Sequence, residues 1–375
     1  MKFKYVGVIL LAFVLFFTGC SVEKEPITSE GTTGDSESLN GYVRSESTIK
    51  NDATTGRIIT SQSSYQIGTY ITLSIYADKQ VPNEAFDDFF ELINYYENMV
   101  SKNISSSEVG QINENAGIRP VVVSSELMEM IKIGMRYASD SNGLFDVSIG
   151  SLVDLWGIGT ENAKVPNEAE LEESMATVDY KNIVIDESEK SVYLKEPGMV
   201  MDLGALAKGY IADRVKDLII EKGFDAAIVN LGGNVLTVGT KPNADFWRIG
   251  VRDPRSDTVT EMGILNLEDN SIVSSGVYER FFLEGEMRYH HIINPKTGYP
   301  EQNDIMSVSI VSKDSVDGDA LSTTAFLMGL EDGLSYVESL EGIEAVFVMS
   351  DLSVYITSGL SEKFVVVNKD YVLKN

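Results

Sequence analysis

The stretch that most constrains how this 375-residue chain can fold is residues 198–234, GMVMDLGALAKGYIADRVKDLIIEKGFDAAIVNLGGN. It begins with a short apolar run. From Leu206 to Ile219, apolar residues then recur at the spacing of a helix, and Gly223 ends the pattern. A β-rich segment and a Gly-Gly turn follow. The pattern predicts a strand, a helix and a second strand, a unit typical of chains that mix helices with sheets.

Asp202 follows the first apolar run, so we expect it at the N-terminus of the predicted helix. Free backbone N–H groups and the positive end of the helix dipole favour an anion such as a phosphate at that place. Lys208 falls within the first two turns, and its ammonium could reach the same place. The alternative for each residue is ordinary: Asp202 caps the helix, and Lys208 is a solvated lysine.

The charge of the chain limits its partners. It has 57 acidic and 30 basic residues, which gives a net charge of −27. Such a surface repels nucleic acid and anionic lipid, so we expect no nucleic-acid partner. An anionic small substrate would need a metal ion or a local group of N–H donors.

Residues 1–19 are predicted to be a lipoprotein signal peptide, because Lys2 and Lys4 precede a short apolar run and small residues precede Cys20. Cys20 is the only cysteine, which excludes a disulfide within the chain, and its setting resembles the lipobox of bacterial lipoproteins. We expect acylation of Cys20 to anchor the protein to the cell membrane, outside the cytoplasm. The alternatives are an uncleaved anchor, or secretion with an idle cysteine.

Residues 20–57 are rich in Ser, Thr, Glu and Gly, so we predict a disordered tether there. Residues 58–375 then alternate between strand and helix patterns, for example a broken strand at 63–76 and a helix at 125–140. No linker interrupts them. We predict one catalytic domain of class α+β, with mixed sheets and flanking helices.

The only two histidines stand in the predicted strand Arg288–Ile293, directly before a tight loop at residues 294–298. His291 shares one face of this strand with Ile293, and His290 lies on the other face, so only one histidine can point into a cleft. A structural role is the usual one for a histidine in a strand. The adjacent loop makes His291 the candidate for chemistry, because loops often carry catalytic residues.

Residues 317–330 are predicted to open a helix whose first turn holds Asp319, followed by Thr323. The i, i+4 spacing puts a carboxylate and a hydroxyl on one face, and both are hard oxygen ligands suited to Mg²⁺. Helix capping and packing are the alternative for this pair. The chain has no phosphate-loop, dinucleotide, zinc or nucleophile-elbow motif that would indicate another chemistry.

Several separated motifs together resemble the ApbE-like FAD:protein FMN transferases, and they follow the order of that family. They are IGT at 67–69, LFDVS at 144–148, DLGALAKGY at 202–210, NLGGN at 230–234, HIINPKTG at 291–298 and DGDALSTT at 317–324. SSEVGQIN at 106–113 and SSG at 274–276 add weaker support. The resemblance covers most of residues 63–367 and implies a T-fold-like α+β architecture.

The resemblance also implies roles for individual residues. Mg²⁺ would be held by the carbonyl of Ala205 together with Asp319 and Thr323. The residues that would contact FAD are Ile67, Asn103, Leu144, Phe145, Asp146, Asp202, Lys208, His291 and Ile293. This chain differs from many members at three of its positions: Ile67 replaces Met, Asn103 replaces an aromatic residue that can stack on FAD, and Asn294 replaces Asp.

The family transfers the FMN half of FAD through a phosphoester bond to a Ser or Thr hydroxyl of a partner protein and releases AMP. We expect the partner to be a membrane redox subunit. His291, titrating near neutrality, is the candidate for removing the proton from the hydroxyl. Two alternatives stay open: a Mg²⁺-dependent FAD pyrophosphatase that gives FMN and AMP, and a lipoprotein that binds flavin without catalysis.

Overall fold

The computed structural model describes residues 44–243, 246–256 and 260–374. The signal peptide, Cys20 and most of the predicted tether lie outside these residues. Among the described residues, no helix combines the length and apolar character that crossing a membrane requires.

The predicted α+β class is confirmed, with helices and mixed sheets that alternate along the chain. The strands are β1 (Thr48–Asn51), β2 (Ile58–Gln66), β3 (Thr69–Ala77), β4 (Val121–Val122), β5 (Ile183–Asp186), β6 (Ser191–Leu194), β7 (Ala227–Leu231), β8 (Asn234–Val238), β9 (Trp247–Arg252), β10 (Glu261–Leu267), β11 (Ser271–Gly276), β12 (Phe281–Glu284), β13 (Met287–His290), β14 (Ile305–Ser312), β15 (Glu344–Met349), β16 (Ser353–Ile356), β17 (Phe364–Val366) and β18 (Val372–Lys374). The helices are α1 (Asn83–Val100), α2 (Glu108–Glu114), α3 (Ser125–Asp140), α4 (Gly150–Trp156), α5 (Glu168–Met175), α6 (Ala207–Glu221), α7 (Ser315–Met328) and α8 (Leu330–Glu338).

One large sheet organises the fold, with ten described strands in the order β1-β2-β3-β7-β8-β11-β14-β15-β16-β18. All neighbours in it are antiparallel except β16 and β18. Its central strands bury both faces. In β15, Ala345 and Phe347 pack with the helices α1, α3, α6 and α7, whereas Val346 and Val348 pack with the smaller sheet β17-β10-β9. This alternation follows from the period of two along a strand.

The start of the central helix is a correction to the prediction. Helix α6 begins at Ala207, and Asp202 lies in the turn that precedes it. The Asp202 carboxylate accepts a hydrogen bond from the backbone N–H of Gly204 at 2.8 Å, so it caps this turn and not the helix. Val200 forms only an isolated bridge to Ile149, so the preceding apolar run is not a regular strand.

The end of the predicted tether is also corrected. Thr48–Asn51 forms β1, which pairs antiparallel with β2 along its whole length. All four side chains are exposed. An edge strand that is held by backbone hydrogen bonds and buries no apolar side chain leaves no signal in composition, which is why the sequence did not reveal it.

Helices α6 and α7 pack closely against each other, and a side chain of α6 caps α7. The buried carboxylate of Asp213 accepts hydrogen bonds from the N–H groups of Ser315 at 2.7 Å and Val316 at 2.9 Å, and so caps α7 from outside. Burial raises the pKa of Asp213 to about 7. One turn earlier on α6, Gly209 lies so close that a Cβ there would overlap the Ser315 carbonyl.

We therefore expect Gly209→Ala to lower the free energy of unfolding by about 1–3 kcal/mol, because the added methyl group forces the two backbones apart. Urea denaturation followed by circular dichroism measures the change. Glu221→Ala, at the exposed end of the same helix, is the matched control and should change stability by less than about 0.5 kcal/mol. Equal stabilities for Gly209→Ala and wild type would show that the helices can separate at no cost.

Candidate active site

A cleft collects most of the residues that the sequence singled out. Its empty volume, which includes the open mouth, is about 1100 Å³. The candidates that line it are Leu144, Phe145, Asp146, Asp202, Ala205, Lys208, His291, Ile293, Asp319 and Thr323. Residues almost 180 positions apart in sequence therefore meet in one place.

Two candidates do not line this cleft. Ile67 lies in the turn between β2 and β3, where it and Gly68 have φ of 46° and 69°. Asn103 is exposed in the turn between α1 and α2. Its neighbour Lys102 reaches the cleft edge, where its ammonium is 3.4 Å from the carboxylate of Asp202. Contact of Ile67 and Asn103 with FAD stays a prediction.

Asp319 is more buried than its predicted position implied. Helix α7 starts at Ser315, so Asp319 lies in the second turn and is only 4% exposed. Its Oδ2 accepts the Gly209 N–H at 2.5 Å, and its Oδ1 lies 3.4 Å from the side-chain amide of Asn234. Burial raises the pKa of this carboxyl group. A cation nearby would therefore favour its charged form.

The oxygen atoms around Asp319 fit a hard metal ion. Thr323 lies one turn further along α7, with its hydroxyl 3.3 Å from that of Ser275. Because the Gly209 N–H donates to Asp319, it does not donate to the carbonyl of Ala205, which accepts no hydrogen bond from the described residues. A carboxylate, a hydroxyl and a free carbonyl are ligands that Mg²⁺ takes, together with water and phosphate oxygens.

The described residues contain no group of three or more His, Cys, Asp or Glu side chains that could hold a metal ion.

Two cations face the same cleft. Lys208 lies in the first turn of α6, and Arg280 immediately precedes β12. Neither forms an ion pair within the described part of the chain. Sequence reasoning missed Arg280 and its neighbour Glu279, which also lines the cleft. The only signal was their position, just after the weak SSG motif at 274–276.

His291 lies in the cleft, as expected, but for a different reason. Strand β13 ends at His290, so His291 and Ile293 follow the strand and do not share its face. His290 is buried, with Nε2 2.7 Å from the Glu301 carbonyl and its ring against Phe326. The prediction that only one histidine can point into the cleft agrees with this arrangement.

The charge state of His291 differs from the expectation. Burial, and then the nearby Arg280 and Lys208, lower its pKa to about 3. The ring is therefore neutral at physiological pH, and the expected titration near neutrality is wrong for the free protein. Its Nδ1 is 3.4 Å from the Arg280 carbonyl, and its Nε2 is 3.9 Å from the Glu279 carboxylate.

Much of the cleft lining is apolar, which suits a flat aromatic ring system. The apolar side chains in it are Leu144, Phe145, Ile149, Val153, Ile158, Ile292, Ile293 and Leu327. Asp146 also lines the cleft, with both carboxylate oxygens occupied. Its Oδ1 accepts the Ser148 N–H at 2.8 Å, and its Oδ2 accepts the Tyr180 N–H at 3.0 Å. Asp146 therefore braces the loop that carries Leu144 and Phe145.

Known proteins share both the sequence and the fold. The FAD:protein FMN transferase of Klebsiella pneumoniae is 36% identical over 83% of this chain and 96% of that protein, and that of Treponema pallidum is 33% identical over 84% and 91%. The crystal structure of the ApbE protein of Thermotoga maritima superposes with a TM-score of 0.76 at 30% identity, covering 81% of this chain and 99% of that one.

The flavin transferase ApbE of Vibrio cholerae superposes with a TM-score of 0.73 at 25% identity, covering 82% of this chain and 99% of that one. The sequence model of the ApbE family matches residues 67–347, which include all the candidate site residues except Cys20. The chain therefore belongs to the ApbE family.

Proposed function

We propose that this protein is a FAD:protein FMN transferase. It transfers the FMN half of FAD to a Ser or Thr hydroxyl of a partner protein and releases AMP, in a reaction that depends on Mg²⁺. The observation that carries the proposal is the cleft whose lining combines apolar side chains, the cations Lys208 and Arg280, and the residues Ala205, Asp319 and Thr323. The relatives' names support the same activity.

Charge explains why a metal is needed. The FAD pyrophosphate carries two negative charges, whereas the cleft holds the carboxyl groups of Asp146, Asp202, Glu279 and Asp319 against only Lys208 and Arg280. Mg²⁺ held by Ala205, Asp319 and Thr323 would neutralise the pyrophosphate and stabilise the AMP leaving group. Lys208 and Arg280 then supply the remaining positive charge.

The residues of the chain have separate tasks in this proposal. The flavin ring lies against Leu144, Phe145 and Ile293, and Asp202 and Lys208 contact the more polar part of FAD. His291 accepts the proton of the attacking hydroxyl at Nε2, because a neutral ring has a free lone pair there. The acceptor is expected to be a membrane redox subunit, since the tether would hold the enzyme at the membrane surface.

The two alternatives differ in what they need from this cleft. In a FAD pyrophosphatase, water replaces the hydroxyl and the same residues serve. A protein that only binds flavin needs no metal, so the oxygen atoms around Asp319 favour an enzyme over a binding protein.

The proposal is tested by incubating the protein with FAD, MgCl₂ and the extracytoplasmic domain of a candidate redox subunit. Transfer releases AMP and increases the acceptor mass by that of one FMN minus water, and EDTA stops both. AMP with free FMN and an unmodified acceptor would instead indicate the pyrophosphatase. Absence of AMP under all conditions would favour the remaining alternative, a lipoprotein that binds flavin without catalysis.

We further propose that the protein is lipid-anchored outside the cytoplasm through Cys20. Cys20→Ala should move the protein from the membrane fraction to the soluble extracytoplasmic fraction, because lipid chains on this residue supply the anchor. Transfer activity of the purified variant should equal wild type. Ser21→Ala is the matched control and should stay with the membrane. Persistent membrane association of Cys20→Ala would contradict the lipid anchor.

A further inference from the structure

We propose that Glu279 is a positioning residue for His291, and that its carboxylate stabilises the imidazolium formed when His291 takes the proton of the acceptor hydroxyl. This inference rests on the proposed transfer function. Glu279 Oε2 lies 3.9 Å from His291 Nε2, and both side chains line the cleft.

The hydrogen bonding of the ring shows which nitrogen is the base. His291 Nδ1 lies 3.4 Å from the backbone carbonyl of Arg280. A carbonyl oxygen can only accept, so Nδ1 carries the hydrogen of the neutral ring and Nε2 carries the free lone pair. The basic nitrogen is therefore the one that faces Glu279.

The spacing of the two groups suits a proton acceptor and its partner. Before the reaction, Nε2 and the Glu279 carboxylate are both acceptors and form no bond with each other, but a hydroxyl could lie within hydrogen-bonding distance of both. After Nε2 takes the proton, a positive ring stands beside a negative carboxylate. The Glu279 carboxylate then stabilises the positive charge that forms on the His291 ring during the reaction.

The surroundings explain why His291 needs such a partner. Arg280 and Lys208 both disfavour a positive charge on the ring, in addition to burial. Among the described residues, Glu279 is the only carboxylate within 4 Å of the His291 ring nitrogens. Burial also raises the pKa of Glu279, and a positive charge on the neighbouring His291 ring would favour its charged form.

The backbone holds the two side chains at this spacing. His291 donates its N–H to the Arg280 carbonyl at 3.1 Å, and Phe281 pairs with His290 in the hairpin of β12 and β13. Glu279 precedes the first strand of this hairpin and His291 follows the second, so both lie at its open end. Stacking of Phe282 on Tyr289, with ring centroids 5.3 Å apart, stabilises its base.

A bond forms between the acceptor oxygen and the FMN-side phosphorus, and the bond from that phosphorus to the bridging oxygen breaks. AMP leaves with the bridging oxygen and its electron pair. The hydroxyl proton passes to His291 Nε2, next to Glu279, and is released to solvent after the products leave.

The test is a double-mutant cycle in the full-length protein with FAD, MgCl₂ and the acceptor. Glu279→Gln should lower kcat for transfer about 10- to 100-fold, less than loss of the base itself, while the Kd for FAD changes less than about twofold. Glu279→Asp, which keeps the charge, should recover part of the loss. In a His291→Ala background, Glu279→Gln should reduce the residual rate no further, because it acts through the ring.

Glu284→Gln, on the exposed tip of the same hairpin, is the matched control and should leave kcat unchanged. Independent losses that multiply in the double variant would overturn the inference, as would a Glu279→Gln variant that loses FAD or Mg²⁺ affinity at unchanged kcat. Full activity of Glu279→Gln would overturn it while leaving the proposed function intact. A wild-type protein that never modifies the acceptor would instead refute the proposed function.

Discussion

If Asp319 is a Mg²⁺ ligand as proposed, Asp319→Asn should lower Mg²⁺-dependent AMP release from FAD by about 10³-fold or more. The amide would remove the charged oxygen ligand, and with it several kcal/mol of metal assistance. The variant keeps the size of the side chain and an oxygen that can accept the Gly209 N–H. It also removes a buried carboxylate whose pKa is raised by burial. The metal-free variant should therefore be at least as stable as the metal-free wild type.

Thermal denaturation with and without MgCl₂ separates the effect on metal from the effect on fold. Added MgCl₂ should raise the melting temperature of wild type and leave that of Asp319→Asn unchanged, because in the proposed site only the wild type would bind the ion. Asp317→Asn is the matched control. Its carboxylate pairs with Arg136 at 3.0 Å and does not line the cleft, so AMP release should persist. Unreduced AMP release by Asp319→Asn would show that the metal ligands lie elsewhere.

His291→Ala should lower the rate of transfer by about 10²- to 10⁴-fold, the usual contribution of a positioned general base. The Kd for FAD should change little, because in the proposed site the metal, Lys208 and Asp202 would hold the pyrophosphate side. Acceptor-linked flavin fluorescence measures the rate, and titration with FAD measures the affinity. Since the pKa of His291 in the free protein is about 3, its protonation should not reduce kcat/KM between about pH 8 and pH 5.5.

His290→Ala is the control for this prediction, with a different expected cost. His290 is buried against Phe326 and bonded to the Glu301 carbonyl, so its loss should reduce stability by about 1–3 kcal/mol. The rate per folded molecule should stay near wild type. If the two variants lost transfer activity equally, or if weaker FAD binding explained the whole loss in His291→Ala, then His291 would not be the base.

The sequence predicted the fold best where periodicity was long and uninterrupted. Helix α3 has the predicted bounds, because its apolar stripe and its N-cap, Ser124, agree. The broken strand at 63–76 is the hairpin of β2 and β3, turned by Ile67 and Gly68. Periodicity does not show where pairing stops. The sequence pattern therefore predicts a strand that includes His291, whereas strand β13 ends at His290.

The site was predictable to the extent that it is built from motifs. The candidate residues between Leu144 and Thr323 belong to separate motifs, and the fold brings these motifs together in the cleft. Glu279 and Arg280 were missed, since their place depends on how the hairpin of β12 and β13 folds back. The burial of Asp319 could not be predicted from the sequence either. It results from the approach of α6, which a pattern within α7 does not contain.

The contact between α6 and α7 also fixes how the two helices can slide or rotate. Gly209 and Asp213 lie one turn apart on α6, and their partners, Asp319 and the Ser315–Val316 backbone, lie one turn apart on α7. These two contacts, one turn apart on each helix, determine both the translation and the rotation of one helix against the other. One residue inserted between Gly209 and Asp213 would turn the later part of α6 by about 100°. Only one of the two attachments could then form, so the length of this single helical turn is as strictly constrained as the identity of any side chain in the cleft.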